Sequence, residues 1–206
     1  MRILDPSSAR RVPWANGLGT TLELATDAAA PGGEWTWRLS IADVPGRAPF
    51  SALPGVDRAI ACLEGEGLHI HFGPTTREVP RTGDAFGFAG EEAAQGEPRG
   101  PGVRDANLMM RRDRWRGRMT IARGTALDMD APVVIVHAAR APAPVRVHVT
   151  ERPGSCLLAE GATVVTSGHV AVPAAPGAVI IACVLMPRAS GASGTPPHAP
   201  PPPTRW

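Results

Sequence analysis

Lysine and tyrosine are both absent from this 206-residue chain, and aromatic residues make up only 4% of it. All 21 basic residues are therefore arginines, a bias that reads as codon usage and carries no function of its own. Without lysine there is no Gly-Lys-Ser/Thr loop to cradle a phosphate, and Gly-x-Ser-x-Gly and Cys-x-x-Cys are missing as well. Hydrolase, nucleotide-dependent and zinc-ribbon chemistries thus have no motif to rest on. No apolar run is long enough to span a bilayer, and no apolar h-region follows Met1-Arg2-Ile3-Leu4-Asp5, so a cytoplasmic location is expected. Cysteines number three, Cys62, Cys156 and Cys183, odd and widely spaced within apolar runs, which fits buried reduced thiols and not a disulfide framework. The formal net charge of +2 is too small for the global field that draws a chain to nucleic acid or an acidic membrane.

Helix signals are also scarce. Gly and Pro, 23 of each, punctuate the chain at short intervals. Between them lie short apolar or alternating runs: Ala59 to Leu63, Leu68 to Phe72, Val133 to His137, Val145 to Val149 and Ala178 to Leu185. Regular short strands separated by turn residues predict an all-β sandwich or barrel. The pattern resumes after the linker-like Asp113-Arg114-Trp115-Arg116-Gly117, so two stacked barrels are expected, one over 1–112 and a smaller one over 113–187. From 188 to 206 Ala, Ser, Gly and Pro dominate, a composition that predicts a disordered tail.

The segment Trp14-Ala15-Asn16-Gly17-Leu18-Gly19-Thr20-Thr21-Leu22-Glu23 couples a glycine-relaxed loop to a strand-like alternation. Thr21 and Glu23 share one face of an extended chain. Polar residues recur at two-residue spacing in Arg38 with Ser40 and in Asp105 with Asn107, and Arg58 closes Pro54-Gly55-Val56-Asp57-Arg58. Four strands are expected to line one polar cavity, with Trp14, Asn16, Thr21, Glu23, Arg38, Ser40, Arg58 and Asn107 as the ligand-binding residues. Arg38 is the first candidate anchor, since a planar guanidinium grips a carboxylate with two parallel hydrogen bonds. Its alternative is an ion pair with Glu23 on an adjacent strand. Arg58 is a second anchor, or else the partner of Asp57 or Asp43 in a rim salt bridge. Asn16 and Asn107 can donate and accept to a ligand or simply satisfy turns. Trp14 offers a flat wall, whereas Trp37, sharing a face with Leu39 and Ile41, belongs in the core.

These segments resemble the HutD/Ves family of cupin-like proteins. The resemblance rests on Trp14-x-Asn16-Gly17-x-Gly19-x-Thr21-x-Glu23, Trp37-Arg38-Leu39-Ser40-Ile41-Ala42-Asp43, Pro49-Phe50-Ser51 with Pro54-Gly55-Val56-Asp57-Arg58, Leu63-Glu64-Gly65, and Asp105-x-Asn107-Leu108-Met109, in that order. Leu18 departs from it, standing where many relatives have a second small residue. The resemblance implies a double-barrel cupin fold, or bicupin, with no established catalytic activity. It also implies a small-molecule pocket and an association with histidine utilisation, with urocanate or formylglutamate as the carboxylate that is sensed.

His69-Ile70-His71 places two imidazoles on one strand face, as metal-binding cupins do. The carboxylate such sites need four or five residues later is lacking, Glu78 comes too late, and a third histidine would have to approach in space, as His137 or His148 could. No metal and no cofactor are expected, and the two histidines should face solvent. Arg111 to Arg118 around Trp115 is the one basic cluster with an aromatic in it, yet it reads as a linker and not as a nucleic-acid site. The expected partner is a small carboxylate, with no nucleic acid and no membrane, and a homodimer left open. A metal-dependent or isomerase-type cupin enzyme is the alternative to a non-catalytic binding protein.

Overall fold

The structure is a computed structural model that describes residues 1–13, 19–150 and 154–189. Trp14, Asn16, Leu18 and the predicted tail from 190 onward lie outside the described residues. The strands, in chain order, are β1 (Arg2–Leu4), β2 (Arg10–Pro13), β3 (Thr20–Thr26), β4 (Trp37–Asp43), β5 (Ala48–Pro49), β6 (Val56–Glu64), β7 (Leu68–Phe72), β8 (Thr75–Val79) and β9 (Gly83–Asp84). They continue as β10 (Phe86–Ala89), β11 (Gln95–Pro98), β12 (Arg104–Arg111), β13 (Trp115–Arg123), β14 (Leu127–Arg140), β15 (Val145–Val149), β16 (Gly154–Leu158), β17 (Thr163–Val172) and β18 (Val179–Pro187). A 3-10 turn at Pro6–Ser8, capped by the Asp5 side chain, is the one helical element among the described residues. The runs read as strands from the sequence fall within strands, apart from Ala178, which lies just before β18.

Three sheets form. The first, of six strands, is ordered β10-β6-β12-β4-β3-β2; the second, of four, β5-β11-β7-β8; the third, of eight, β16-β15-β17-β14-β18-β13-β9 with β1 paired to β17. The all-β expectation holds. The two closed barrels do not emerge from the pairing: among the described residues the sheets end on open edges and pack face to face. The expected linker is also corrected, because Trp115-Arg116-Gly117 opens β13 and pairs with Leu185 to Pro187 of β18. Asp113 and Arg114 lie in the exposed turn before β13 and Arg116 is exposed on that strand, a pattern that composition alone does not separate from a linker. Arg188, assigned to the tail, is held by its backbone N–H donating to Arg114 O at 2.8 Å.

Alternation decides which face of the six-stranded sheet is apolar. Trp37, Leu39 and Ile41 of β4, Ala59, Ala61 and Leu63 of β6, and Ala106, Leu108 and Met110 of β12 are buried together with Met119, Ile121, Ile181, Cys183 and Leu185 of the eight-stranded sheet. Each large side chain buried there contributes roughly 1.5–3 kcal/mol. The opposite face carries Arg38 and Ser40, Arg58 and Ile60, and Asp105, Asn107 and Met109. A slip of one residue in register would drive Arg38, Arg58 and Asp105 into the apolar layer, so the register is strongly specified. A bulge between Glu23 and Ala25 lets Leu24 and Ala25 both enter the core while Glu23 stays opposite Ser40. Where β6 ends, Gly65 has φ of +89°, and a Cβ there would lie 2.6 Å from Val103 Cγ2, so the turn after Leu63-Glu64 requires glycine. Cys62, Cys156 and Cys183 are free and buried.

Candidate functional site

A cavity of about 430 Å³ opens between the polar face of the six-stranded sheet and the segment running from Ala48 to Leu53. Thr21, Arg38, Ser40, Arg58 and Asn107 line it, together with Asp105 and Met109. The strand register sets their order. Asn107 lies between Ser40 and Ile60, Asp105 between Ala42 and Cys62, and Met109 between Arg38 and Arg58. Glu23 stands beside the cavity wall, with Oε2 3.9 Å from Arg38 Nη1 and Oε1 3.5 Å from Arg10 Nη2.

Arg58 departs from the bland expectation. Its sequence neighbour Asp57 is bound to Arg112 at 2.6 Å, and no acidic group among the described residues forms an ion pair with Arg58. The reason is geometric, since adjacent residues of a strand point to opposite faces. Arg58 is 5% exposed, its Nη2 donates to Ser51 O at 2.9 Å, and its Cζ lies 5.1 Å from the Phe50 ring centroid and 5.9 Å from that of Phe88. Burial pulls its pKa down to about 10, with Asp105 opposing and Arg38 adding to the drop. Arg38 is less enclosed. It stacks on Trp35 at 5.1 Å and donates to Met109 Sδ at 3.4 Å, and burial lowers its pKa while Glu23 raises it. The expected Arg38–Glu23 contact exists but is loose and shared with Arg10.

Ser40 is buried and donates to Asn107 O at 3.4 Å. Asp105 is 1% exposed, and burial, opposed by Arg58 and by a hydrogen bond from the Ala42 backbone, pushes its pKa up to about 7. Arg38 Nε, Arg58 Nε, Asp105 Oδ1 and Asn107 Oδ1 are all buried without a hydrogen-bond partner. An unmatched buried polar group costs about 1–3 kcal/mol, and all four residues line the cavity. This is the pattern of a site that a ligand completes. Sequence reasoning passed over Asp105, Phe50, Ser51, Phe88 and Trp35. Asp105 carried a signal, sharing its strand face with Asn107; Phe50 and Ser51 stood within a quoted motif, and Phe88 and Trp35 had none.

The histidine pair behaves otherwise than as two solvent-facing side chains. His71 is largely covered, with Nε2 2.5 Å from Glu97 Oε2 and Nδ1 2.8 Å from Thr76 Oγ1. His137 lies buried on Thr163. No three His, Cys, Asp or Glu side chains gather into a metal-binding group among the described residues. Arg112, from the basic cluster, clamps Asp57 and Glu91. No helix among the described residues is long and apolar enough to cross a membrane.

The family model HutD matches residues 6–180. The chain belongs to the HutD family. It is 33% identical over 140 residues, 68% of this chain and 74% of the relative, to an uncharacterized 21.2 kDa protein in the hutC 3' region of Pseudomonas putida. Protein Ves of Cronobacter sakazakii is 34% identical over 110 residues, 53% of this chain and 60% of Ves. Among solved structures, a conserved protein of unknown function from Pseudomonas aeruginosa PAO1 superposes with a TM-score of 0.77 at 29% identity, covering 90% of this chain and 98% of that one. HutD from Pseudomonas fluorescens SBW25, in a formate condition, gives 0.71 at 25% identity, covering 91% and 99%. The fold is cupin-like, since an oxalate decarboxylase of Bacillus subtilis superposes at 0.58 despite 7% identity, covering 89% and 76%.

Proposed function

We propose that this HutD-family chain is a non-catalytic binding protein for a small carboxylic acid, and that filling of its cavity reports on histidine breakdown. The observation that carries the reading is the pair of guanidiniums on the lining of one cavity, Arg38 and Arg58, the latter in no salt bridge among the described residues. In this reading Arg58 anchors the acid and Arg38 assists, steadied by Glu23. Ser40 and Asn107 hydrogen-bond the rest of the ligand, Thr21 shapes the wall, and Trp14 and Asn16 are assigned as further ligand contacts. A volume of about 430 Å³ suits a metabolite the size of urocanate or formylglutamate. The position of the P. putida relative beside hutC supports the link to histidine utilisation. The two halves, 1–112 and 113–187, are taken as two cupin-like units of a cytoplasmic protein with no nucleic-acid or membrane partner.

A second reading has one observation behind it. A buried carboxyl poised near neutral pH in a cavity is what an acid–base enzyme would use, so Asp105 keeps an isomerase-type cupin in play. Thermal-shift screening of formate, urocanate and formylglutamate tests the binding proposal. Stabilisation that grows with the logarithm of acid concentration, with the acid recovered unchanged, supports it. Turnover of the acid, or stoichiometric metal in the purified protein, favours the enzyme.

A further inference from the structure

The cavity has three charged lining residues, Arg38, Arg58 and Asp105, and they are not equivalently partnered. Arg38 already has Glu23 at 3.9 Å, whereas Arg58 has no ion pair among the described residues and feels Asp105 as its opposing charge. A carboxylate entering the site therefore competes with Asp105 for one guanidinium. It brings lone pairs and no hydrogen into a cavity lined by Asp105 and Asn107, whose Oδ1 atoms are buried and already lack donors. Two carboxylates sharing one enclosed cation do not both stay ionised, because their repulsion is poorly screened there. A proton placed between them converts that repulsion into a charge-assisted hydrogen bond.

We propose that an anionic ligand enters this cavity together with a proton from solvent, taken up by Asp105 so that its carboxyl group donates to the bound carboxylate. The inference rests on the carboxylate-binding reading above and assigns Asp105 as a ligand-contacting residue. The neighbours of Asp105 favour the same outcome. From β4, Asp43 repels its ionised form; from β6, Arg58 holds it but turns toward the ligand; Cys62, paired opposite, is itself pushed up by burial and stays neutral. The facing wall from Ala48 to Leu53 with Gly96 supplies no titratable side chain. With Asp105 poised at about 7 in the empty cavity, one proton is left to be taken up when an anion binds above that pH.

The test uses formate, which is ionised throughout the range. Its Kd is measured between pH 7 and 8.5 for the full chain and for Asp105→Asn, and the Asp105 carboxyl carbon is followed by NMR in protein carrying labelled aspartate. Proton uptake requires the fall in affinity to steepen from about threefold per pH unit near pH 7 toward about tenfold per unit by pH 8.5, the Asp105 midpoint to move upward at saturating formate, and the asparagine variant to bind independently of pH. Formate binding with no pH dependence and an unmoved midpoint overturns the proton inference but leaves the binding site standing. The same slope retained in Asp105→Asn assigns the proton elsewhere and also overturns it. Failure of formate and the larger acids to bind at any pH removes both readings. Should the variant not fold, the slope and the midpoint of the unaltered protein decide alone.

Discussion

Arg58→Met should make the fold more stable while removing carboxylate binding. Burial holds this guanidinium at about 10, well below its ordinary value, and at 1.36 kcal/mol per pH unit that amounts to roughly 3 kcal/mol set against the charged form. Methionine removes that penalty and keeps an unbranched chain between Phe50 and Phe88, where sulfur–ring contacts replace the two cation–π contacts of about 0.5–2 kcal/mol. The hydrogen bond to Ser51 O is lost, but Ser51 is exposed and its carbonyl can turn to water. The expected net gain is about 1–2 kcal/mol, in line with replacements of buried charge by apolar groups of similar volume. Urea unfolding at pH 6, where Asp105 is mostly neutral and needs no cation, should show a higher midpoint with an unchanged slope. In the same variant, stabilisation by formate or urocanate should vanish. A loss of more than about 2 kcal/mol would refute the reasoning, because it would mean that the guanidinium, its rings and Ser51 form a structural unit and not a reserve held for a ligand.

Arg38→Lys keeps the charge near Glu23 but loses the planar fork, so calorimetry should find carboxylate binding weakened by about 1–3 kcal/mol with little change in melting temperature. Unchanged affinity with a large stability loss would make Arg38 only the partner of Glu23. His137, buried on Thr163 and held down at about 4, favours the fold in its neutral form. Its contribution is complete above its unfolded value near 6.5 and is lost as pH falls toward 4, up to roughly 3 kcal/mol. Asp105 works in the opposite sense, since a raised carboxyl pKa favours the fold at low pH and loses that advantage as pH rises toward 7. Urea unfolding should therefore show stability rising with pH from 4 to 6.5 in Asp105→Asn and falling with pH in His137→Gln; equal slopes would contradict both assignments. Gly117→Ala should cost about 2–4 kcal/mol, because a Cβ there would lie 2.5 Å from Val184 O and 2.9 Å from Met110 Sδ across the sheet contact. A neutral result by thermal melting would show that this contact gives way easily.

What the sequence disclosed and what it hid divide along a physical line. Alternation is local, so the opposition of Trp37, Leu39 and Ile41 to Arg38 and Ser40 could be read directly, and so could the shared face of Asp105 and Asn107. The surroundings of Arg58 are not local. Phe50, Phe88 and Ser51 come from a loop and an edge strand, and adjacency made Asp57 look like the partner that strand geometry forbids. The weight of Asp105 depends on burial, which a four-letter pattern does not reveal, and the bulge at Glu23 and Ala25 lets two consecutive residues enter the core against the simple period. The same three strands also explain how unmatched polar groups survive here. β4, β6 and β12 place their apolar residues against the eight-stranded sheet on one side and Arg38, Arg58, Asp105 and Asn107 in the cavity on the other. Each orphaned group costs about 1–3 kcal/mol, and burial of side chains such as Leu39, Leu63 and Leu108 on the reverse face contributes roughly 1.5–3 kcal/mol apiece. Because both faces belong to one register, the chain cannot relax the polar face without exposing the apolar one, and so the unpaired donors and acceptors stay buried on the cavity side.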